Sequence, residues 1–346
     1  MPETWIGWDL GGANLKAVQL DAAGRALEVV QVACPLWQGV EHLHAGIDRV
    51  LERLVDPRPH RHAVTMTGEL ADLFEGRNQG VATLVSVMRE RLGEEPLLIY
   101  AGAAGFVDPA RAVDLAHQVA SANWMASAAL AASIVPEGLL IDIGSTTTDL
   151  VPFAEGAVSA WGTTDHERLR HGELLYAGVG RTPLMSLAQR APFDGVWVPL
   201  MAEHFATTGD VYRLTGELPD HADLLPSADG REKTPMASAR RLARMLGLDV
   251  EAADQQGWQR LAEYLAEVQL QGLMEASACL LSRGELVAQA PILGAGVGRF
   301  LARRLAERLG RPYIGFESLF APSEVGAPDM ADCAPAAALA RLAAMI

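Results

Sequence analysis

The 346-residue sequence has almost no lysine, since Lys16 and Lys233 stand against 26 arginines. It also has few cysteines, and Cys34, Cys279 and Cys333 lie far apart without a CxxC pair. This spacing excludes a disulfide framework and fits a protein of the reducing cytoplasm.

Basic charge is in deficit as well: 28 Lys and Arg residues oppose 43 Asp and Glu, for a net charge of −15. Nucleic acids and anionic membranes select basic surfaces, so neither is expected as a partner. The least polar stretch, 119–135, is too short and too interrupted to cross a bilayer. The N-terminal sequence carries Glu3 and Asp9 and does not resemble a signal peptide, so we expect a cytoplasmic protein.

Apolar residues are abundant, at 50% of the chain, and the length exceeds that of a usual single domain. Strand and helix patterns alternate over the first part of the chain, which predicts α/β layers. We predict a first domain over 1–135 and a second over 136–346, with a helical insertion at about 183–281. The segment 116–132 is predicted to be helical, and the polar segment 220–234 to be an exposed loop.

An internal repeat with an offset of 133 residues relates segments 8–18 and 141–151. Each copy reads as an apolar strand, an Asp, a glycine-containing turn and a second apolar strand, which is a hairpin pattern. Two related halves that face each other would place both turns on opposite walls of one cleft. Such a cleft suits a polyphosphate with its metal ion.

The first copy contains the strongest single motif, with Asp9, Gly11, Gly12, Asn14 and Lys16 around one turn. Glycines let backbone N–H groups approach phosphate oxygens, and a lysine supplies a compact charge among them. Asp9 is predicted to hold Mg²⁺ through water. The structural alternative is an ordinary glycine hairpin with a chance lysine.

The second copy supplies hydroxyl and backbone donors after Asp142, which is predicted to share the catalytic and Mg²⁺-binding role. Its predicted phosphate-binding residues are Gly144, Ser145, Thr146 and Thr147. A third turn, between the apolar run 290–293 and a predicted helix from 300, is a candidate for nucleotide or substrate binding. Its glycines are Gly294, Gly296 and Gly298.

Tandem Asp–Gly hairpins followed by a late glycine-rich turn resemble the superfamily of sugar kinases, acetate kinase, heat-shock chaperones and actin. The segment 142–149, Asp-Ile-Gly-Ser-Thr-Thr-Thr-Asp, is similar to its hydantoinase/oxoprolinase branch. Further segments resemble the subgroup of that branch linked to tetrahydromethanopterin-dependent one-carbon metabolism. They are 65–70, 120–124, 178–183, 205–211 and 227–231.

The resemblance implies an actin-like (ribonuclease H-like) α/β fold with two domains and a central cleft. It implies a transferase that joins an aminomethylfuran-methyl diphosphate to the phenol of γ-glutamyltyramine, or of a tyrosine-derived analogue, and releases diphosphate. The expected partners are therefore a small-molecule diphosphate and a phenolic amine, with Mg²⁺ as cofactor. The sequence leaves the oligomeric state open, and a homo-oligomer is one of the alternatives.

The same resemblance suggests roles for residues outside the turns. The candidates for a base that activates the phenol are Glu69, Asp165 and His166. The candidates for substrate or nucleotide binding are Asn123, Arg181, Arg231 and Asp165. The two arginines suit the glutamate carboxylates because a guanidinium pairs with a carboxylate through two hydrogen bonds.

The chain also departs from the family pattern. Hydantoinase relatives usually carry an acid where this chain has Lys16, and the second turn reads Gly144-Ser145 in place of Gly-Gly. An ATP-dependent kinase, or an amide-activating enzyme of the hydantoinase/oxoprolinase type, is therefore an alternative, with adenosine at the late turn. A non-catalytic, nucleotide-gated scaffold is a third reading.

Overall fold

A computed structural model describes residues 4–55 and 60–346. The chain forms two compact units. The first contains 1–140, 151–160 and 314–346, and the second contains 141–150 and 161–313. The first unit is therefore assembled from segments that lie far apart in the sequence.

A six-stranded mixed sheet forms the centre of the first unit. Its strands are β1 (Trp5–Leu10), β2 (Asn14–Leu20), β3 (Ala26–Ala33), β4 (Arg61–Met66), β5 (Leu97–Tyr100) and β6 (Phe106–Val107). Their order is β3-β2-β1-β4-β5-β6. The first three strands form an antiparallel meander, whereas β4 runs parallel to β1 and β5 parallel to β4. The carboxyl ends of β1 and β4 thus meet at one edge, where open α/β sheets bind ligands.

Helices cover both faces of this sheet. They are α1 (Glu41–Leu51), α2 (Arg77–Leu92), α3 (Pro109–Asp114), α4 (Ala116–Val119), α5 (Asn123–Ile134) and α12 (Ala334–Ala343). One sheet face, which includes Trp8, Leu15 and Val64, packs with α1 and α2 into a hydrophobic core. The opposite face receives α12 at Gly7, where a Cβ atom would overlap the carbonyl oxygen of Ala336. Gly7 therefore permits the helix backbone to approach the strand directly.

The helix predicted over 116–132 is interrupted. The short helix α4 ends at Val119, and α5 begins only at Asn123. Ser121 lies between them with φ of 53°, a left-handed conformation that few non-glycine residues adopt. Ala120 meanwhile forms a parallel bridge with Met66 at the end of β4. This strand-like pairing is incompatible with a continuous helix.

The second sheet has the order β10-β8-β7-β13-β14, with β9 paired to β8. Its strands are β7 (Glu137–Ile143), β8 (Thr148–Ala154), β9 (Ala157–Val158), β10 (Leu174–Leu175), β13 (Ile292–Ala295) and β14 (Tyr313–Gly315). A separate hairpin is formed by β11 (Arg190–Phe193) and β12 (Val196–Pro199). The repeated segments of the sequence are thus β1–β2 and β7–β8.

The second unit is rich in helices. They are α6 (Asp165–His171), α7 (Leu184–Leu187), α8 (Thr208–Thr215), α9 (Pro235–Met245), α10 (Gln255–Leu281) and α11 (Arg299–Leu309). The segment 220–234 is a loop, as predicted, but it is not free of the core. The buried guanidinium of Arg241 contacts Asp229 in this loop at 3.0 Å and Asp210 in α8 at 2.7 Å.

Two smaller expectations concern single side chains. The Ala and Leu residues around Cys279 and Cys333 predict that both thiols lie in the core, but Cys279 is exposed and Cys333 is buried. His62, which the polar context predicts at the surface, is buried and bonds the indole N–H of Trp8 and the carboxylate of Glu95. In the described part of the chain, no helix is long and apolar enough to cross a membrane.

Candidate functional site

The two repeated turns have the same backbone geometry. In the first, the N–H of Gly11 donates to the carbonyl of Asn14 at 3.1 Å. In the second, the N–H of Gly144 donates to the carbonyl of Thr147 at 2.9 Å. These residues correspond at the offset of the repeat, so the sequence similarity reflects two copies of one local structure.

Asp9 and Lys16 face each other across the first turn. They are direct cross-strand partners of β1 and β2, which places both side chains on the same face of the sheet. The register extends to Gln31 of β3 on one side and Thr65 of β4 on the other. The first unit therefore presents a row of four polar side chains beside the glycine turn. Asp9 itself is buried.

The C-terminal segment supplies a contact that sequence analysis missed. Lys16 donates from Nζ to the main-chain carbonyl of Asp332 at 2.9 Å. The carboxylate of Asp329 accepts from the N–H groups of Ala331 and Asp332, which closes a turn just before α12. The sequence signal for this turn is its pair of aspartates, Asp329 and Asp332. Local patterns do not predict the contact itself, because Lys16 and Asp332 are 316 positions apart in the sequence.

The charges around this turn surround a buried thiol. Burial raises the pKa of Cys333 to about 12; Lys16 opposes this rise, and Asp332, Asp9 and Asp329 add to it. The thiol therefore remains protonated at neutral pH and is not a nucleophile. The strand register and the contact of Lys16 with the Asp332 carbonyl place Asp9, Lys16 and the N-terminus of α12 in one neighbourhood of the first unit.

Glu69 lies just after β4 in a short 3₁₀ turn and is buried. Its carboxylate accepts from the hydroxyl of Ser121 at 3.1 Å. The backbone of Gly80 packs so closely that an added Cβ would lie 2.7 Å from the Cα of Glu69. The predicted substrate-binding residue Asn123 follows closely, and its side chain accepts from the N–H of Trp124. The side-chain amide oxygen of Asn123 is thus engaged in a local hydrogen bond.

The second turn is enclosed by the segment 178–181. The N–H groups of Val179, Gly180 and Arg181 donate to the carbonyls of Gly144 and Ser145 at 2.8–3.0 Å. A side chain at 178 would overlap the turn backbone, which explains the glycine there. The guanidinium of Arg181 lies 3.5 Å from the hydroxyl of Thr146.

The helical insertion helps to hold this enclosing segment. Gln269 of α10 is buried and donates to the carbonyls of Ala177 and Gly178 at 3.1 Å. Tyr212 of α8 in turn donates to the Gln269 side chain at 2.9 Å. The insertion therefore positions the backbone behind the second turn.

The late glycine turn also lies beside the second hairpin. Gly296 has φ of 77°, and a Cβ there would overlap the Ile143 carbonyl and the Asp142 carboxylate. The N–H of Gly298 donates to the Ile143 carbonyl at 2.8 Å. Gly294 packs on the ring of Tyr313. The structure thus brings Asp142 and the late turn together within the second unit.

The remaining predicted residues occupy different surroundings. Asp165 is the first residue of α6, next to the Thr164 cap. The motif's last aspartate, Asp149, forms a buried ion pair with Arg168 at 2.8 Å and is structural. Arg231 lies at the exposed tip of the 220–234 loop, where its N–H donates to Asp229 at 3.1 Å.

The donor set fits Mg²⁺ only in its hydrated form. Among residues 4–55 and 60–346, no three His, Cys, Asp or Glu side chains converge to hold a metal ion. Each turn instead offers one buried aspartate, Asp9 or Asp142. Magnesium commonly uses one or two carboxylates and takes its other ligands from water and substrate phosphate. The arrangement therefore fits a metal that arrives with a phosphate ligand.

Comparison with known proteins indicates the family of this chain. Residues 60–344 match the Hydantoinase/oxoprolinase family. A protein of Methanocaldococcus jannaschii named (4-{4-[2-(gamma-L-glutamylamino)ethyl]phenoxymethyl}furan-2-yl)methanamine synthase is 29% identical over 247 residues, covering 71% of this chain and 72% of its own. The Methanococcus vannielii protein of the same name is 34% identical over 112 residues, covering 32% and 50%.

Among solved structures, nucleotide-free acetone carboxylase superposes on 98% of this chain and 70% of its own. The TM-score is 0.59 at 12% sequence identity, so this likeness concerns the fold alone. The predicted actin-like α/β fold class is confirmed. Because the family pattern spans most of the chain, including the second turn, the late turn and α12, this protein belongs to the hydantoinase/oxoprolinase family.

Proposed function

We propose that this protein is a transferase of methanofuran-type cofactor biosynthesis, which forms an aryl furfuryl ether and releases diphosphate. The observation that carries the proposal is the Asp9–Lys16 pair across the first glycine turn. The second unit repeats the aspartate and the turn at Asp142 but has no lysine opposite. The name of the two relatives supports this reaction, because the product that it describes contains a phenoxymethyl group on a furan.

The chemistry is a substitution at the furfuryl carbon. The bond from this carbon to the diphosphate oxygen breaks, and the phenol oxygen forms a new bond to the same carbon. The furan ring delocalises the positive charge that develops on carbon. The departing diphosphate needs fixed positive charge and N–H donors, which Lys16 and the first turn would provide within the first unit. Bound Mg²⁺ would neutralise further charge on the leaving group.

The phenol must lose its proton to a base, and Glu69 is our proposal for this role. Its carboxylate is buried and oriented by Ser121 at 3.1 Å, within the same unit as Asp9 and Lys16. A group held in this way suits directed proton transfer. Asp165 lies in the second unit, at the start of α6.

An ATP-dependent kinase or amide-activating enzyme is the second candidate. The observation that favours it is the strand–turn–helix at 292–309, where the glycine turn packs directly on Asp142. Glycine-rich turns at helix N-termini bind phosphate-containing ligands in many folds. In this case the late turn would bind adenosine.

Phosphorus NMR separates the two candidates in matched samples with Mg²⁺ and γ-glutamyltyramine. One sample contains the furfuryl diphosphate and the other contains ATP. We expect acceptor-dependent inorganic diphosphate in the first and intact ATP in the second. ADP in the second sample, with furfuryl diphosphate unchanged in the first, would overturn the transferase proposal.

Two lysine variants control this assay. Lys16→Ala should lower kcat/KM by about 100-fold or more, since a donor to the leaving group is lost. Lys233→Ala removes the chain's other lysine, which bonds Asp223 in the 220–234 loop. It should leave turnover near that of the unsubstituted protein. Equal activity of both variants would remove Lys16 from the proposed site.

A further inference from the structure

Thr65 is a buried polar residue to which no role has been assigned so far. It is the direct neighbour of Asp9 in the parallel β1–β4 pair, so both side chains lie on one face of the sheet. Its side chain is 0% exposed. Its hydroxyl nevertheless has no hydrogen-bond partner in the structure.

An unpartnered buried hydroxyl is costly, because the group loses its water and gains nothing in return. Valine would fill the same volume in a β-strand without that cost and has a higher strand preference than most residues. Packing and strand formation therefore do not explain a threonine here. A ligand oxygen would.

The neighbouring side chains point to the same conclusion. The side-chain oxygens of Asn14 and Gln31 are also buried without a hydrogen-bond partner. Both residues lie on the Asp9–Lys16 face, with Gln31 opposite Lys16 and Asn14 at the turn. Thr65, Asn14 and Gln31 thus each have an unpartnered side-chain oxygen. Thr65 is the strand neighbour of Asp9, Gln31 is the strand neighbour of Lys16, and Asn14 lies two residues before Lys16.

The N-terminus of helix α12 contributes an electrostatic field that favours an anion. The helix begins at Ala334, two residues after Asp332, whose main-chain carbonyl accepts from Lys16 at 2.9 Å. Helix N-termini attract anions through their free N–H groups and dipole. Asp332 contacts Lys16, and Asp329 accepts from the N–H of Asp332, so both carboxylates lie nearby and oppose a bare anion. This favours an anion that is accompanied by Mg²⁺.

We propose that Thr65 is a ligand-binding residue whose hydroxyl donates a hydrogen bond to a phosphate oxygen of a magnesium–diphosphate ligand beside Asp9 and Lys16. This inference rests on the proposed function for the ligand's class, but it adds a residue and a contact. It also predicts opposite effects on the free protein and on binding. Removing the hydroxyl should stabilise the ligand-free protein, because the unpartnered buried group is gone, and should weaken the binding of the ligand.

Calorimetric titration with inorganic diphosphate and Mg²⁺ tests the contact without any turnover. Thr65→Val should raise the dissociation constant by about tenfold or more, as expected for a hydrogen bond to a charged group. Thr65→Ser should bind almost as tightly as the unsubstituted protein. In thermal unfolding without ligand, Thr65→Val should melt at the same temperature or higher.

Ser277→Ala is the matched control. Ser277 in α10 is also fully buried with an unpartnered hydroxyl, but it lies in the second unit. Its variant should bind diphosphate normally. Should Thr65→Val fold poorly, Thr65→Ala provides the same deletion with a smaller side chain.

The outcomes separate the two proposals. Unchanged diphosphate affinity in Thr65→Val, with clear binding by the unsubstituted protein, would overturn the role of Thr65 and leave the phosphate site in place. No binding by the unsubstituted protein would overturn both the phosphate site and this contact. Equal weakening in Ser277→Ala would show a general packing effect and would also overturn the inference.

Discussion

At the scale of single residues, the choice of lysine at position 16 has a geometric reason. Lys16 lies between Asp9 and Gln31 in the register of the first sheet and reaches the carbonyl of Asp332. A compact ammonium can donate to this carbonyl and still present its other protons to a ligand. A planar guanidinium would need more room in the same partly buried position.

The presence of only two lysines allows a direct residue-scale test. We expect an amine-reactive reagent to label Lys16 several times more slowly when magnesium and diphosphate are bound, because the ligand covers its ammonium group. Peptide mass spectrometry reads both positions in one sample. Lys233, in the 220–234 loop, is the internal reference and should keep its labelling rate. Equal protection of both lysines would contradict a site at Lys16.

At the scale of elements, the contact between α12 and β1 depends on the absence of one side chain. A Cβ at Gly7 would overlap the helix backbone at Ala336 and come within 2.7 Å of the Ala340 nitrogen. Gly7→Ala should therefore destabilise the protein by about 1–3 kcal/mol, as overpacking in a core does. Urea unfolding monitored by tryptophan fluorescence measures this change.

Gly12→Ala is the control for that measurement. No atom lies within 4 Å of a Cβ built at Gly12, so its substitution should leave the unfolding midpoint almost unchanged. It should instead weaken diphosphate binding, because a methyl group would obstruct the approach of phosphate to the turn. Similar losses of stability in both variants would refute the close-packing role of Gly7.

The elements also show what the sequence can predict. Both hairpins were predicted because each carries an apolar alternation and a glycine turn, and the repeat reinforced them. The break at Ser121 was missed because the run of small residues gives no local stop signal, while a tertiary bridge to Met66 imposes the break. The helix α12 was missed because nearly all its residues are buried, so it lacks the polar stripe that marks a surface helix.

At the scale of the whole molecule, the candidate site of the first unit joins distant parts of the chain. Asp9 and Lys16 come from the N-terminal hairpin, Thr65 and Glu69 from the region of β4, and Asp332 from the C-terminal turn. Motif spacing predicts the hairpin, and the family resemblance of segment 65–70 points to Glu69, since both carry recognisable local patterns. It could not identify Asp332, because that contact uses a main-chain carbonyl, which no side-chain pattern reveals.

This arrangement makes folding of the first unit and formation of its site depend on one segment. A chain ended after 333 would lack α12 and would expose the sheet face at Gly7. Asp332, whose carbonyl accepts from Lys16, would then have no helix after it to hold it in place. We expect such a chain to lose cooperative unfolding and diphosphate binding together. A chain ended after 343 lacks only residues that are exposed, including Met345 and Ile346, and should retain both properties. Near-ultraviolet circular dichroism and calorimetric titration measure the two properties separately. If the chain ended after 333 unfolded cooperatively and bound diphosphate normally, α12 could not be the element that completes the site.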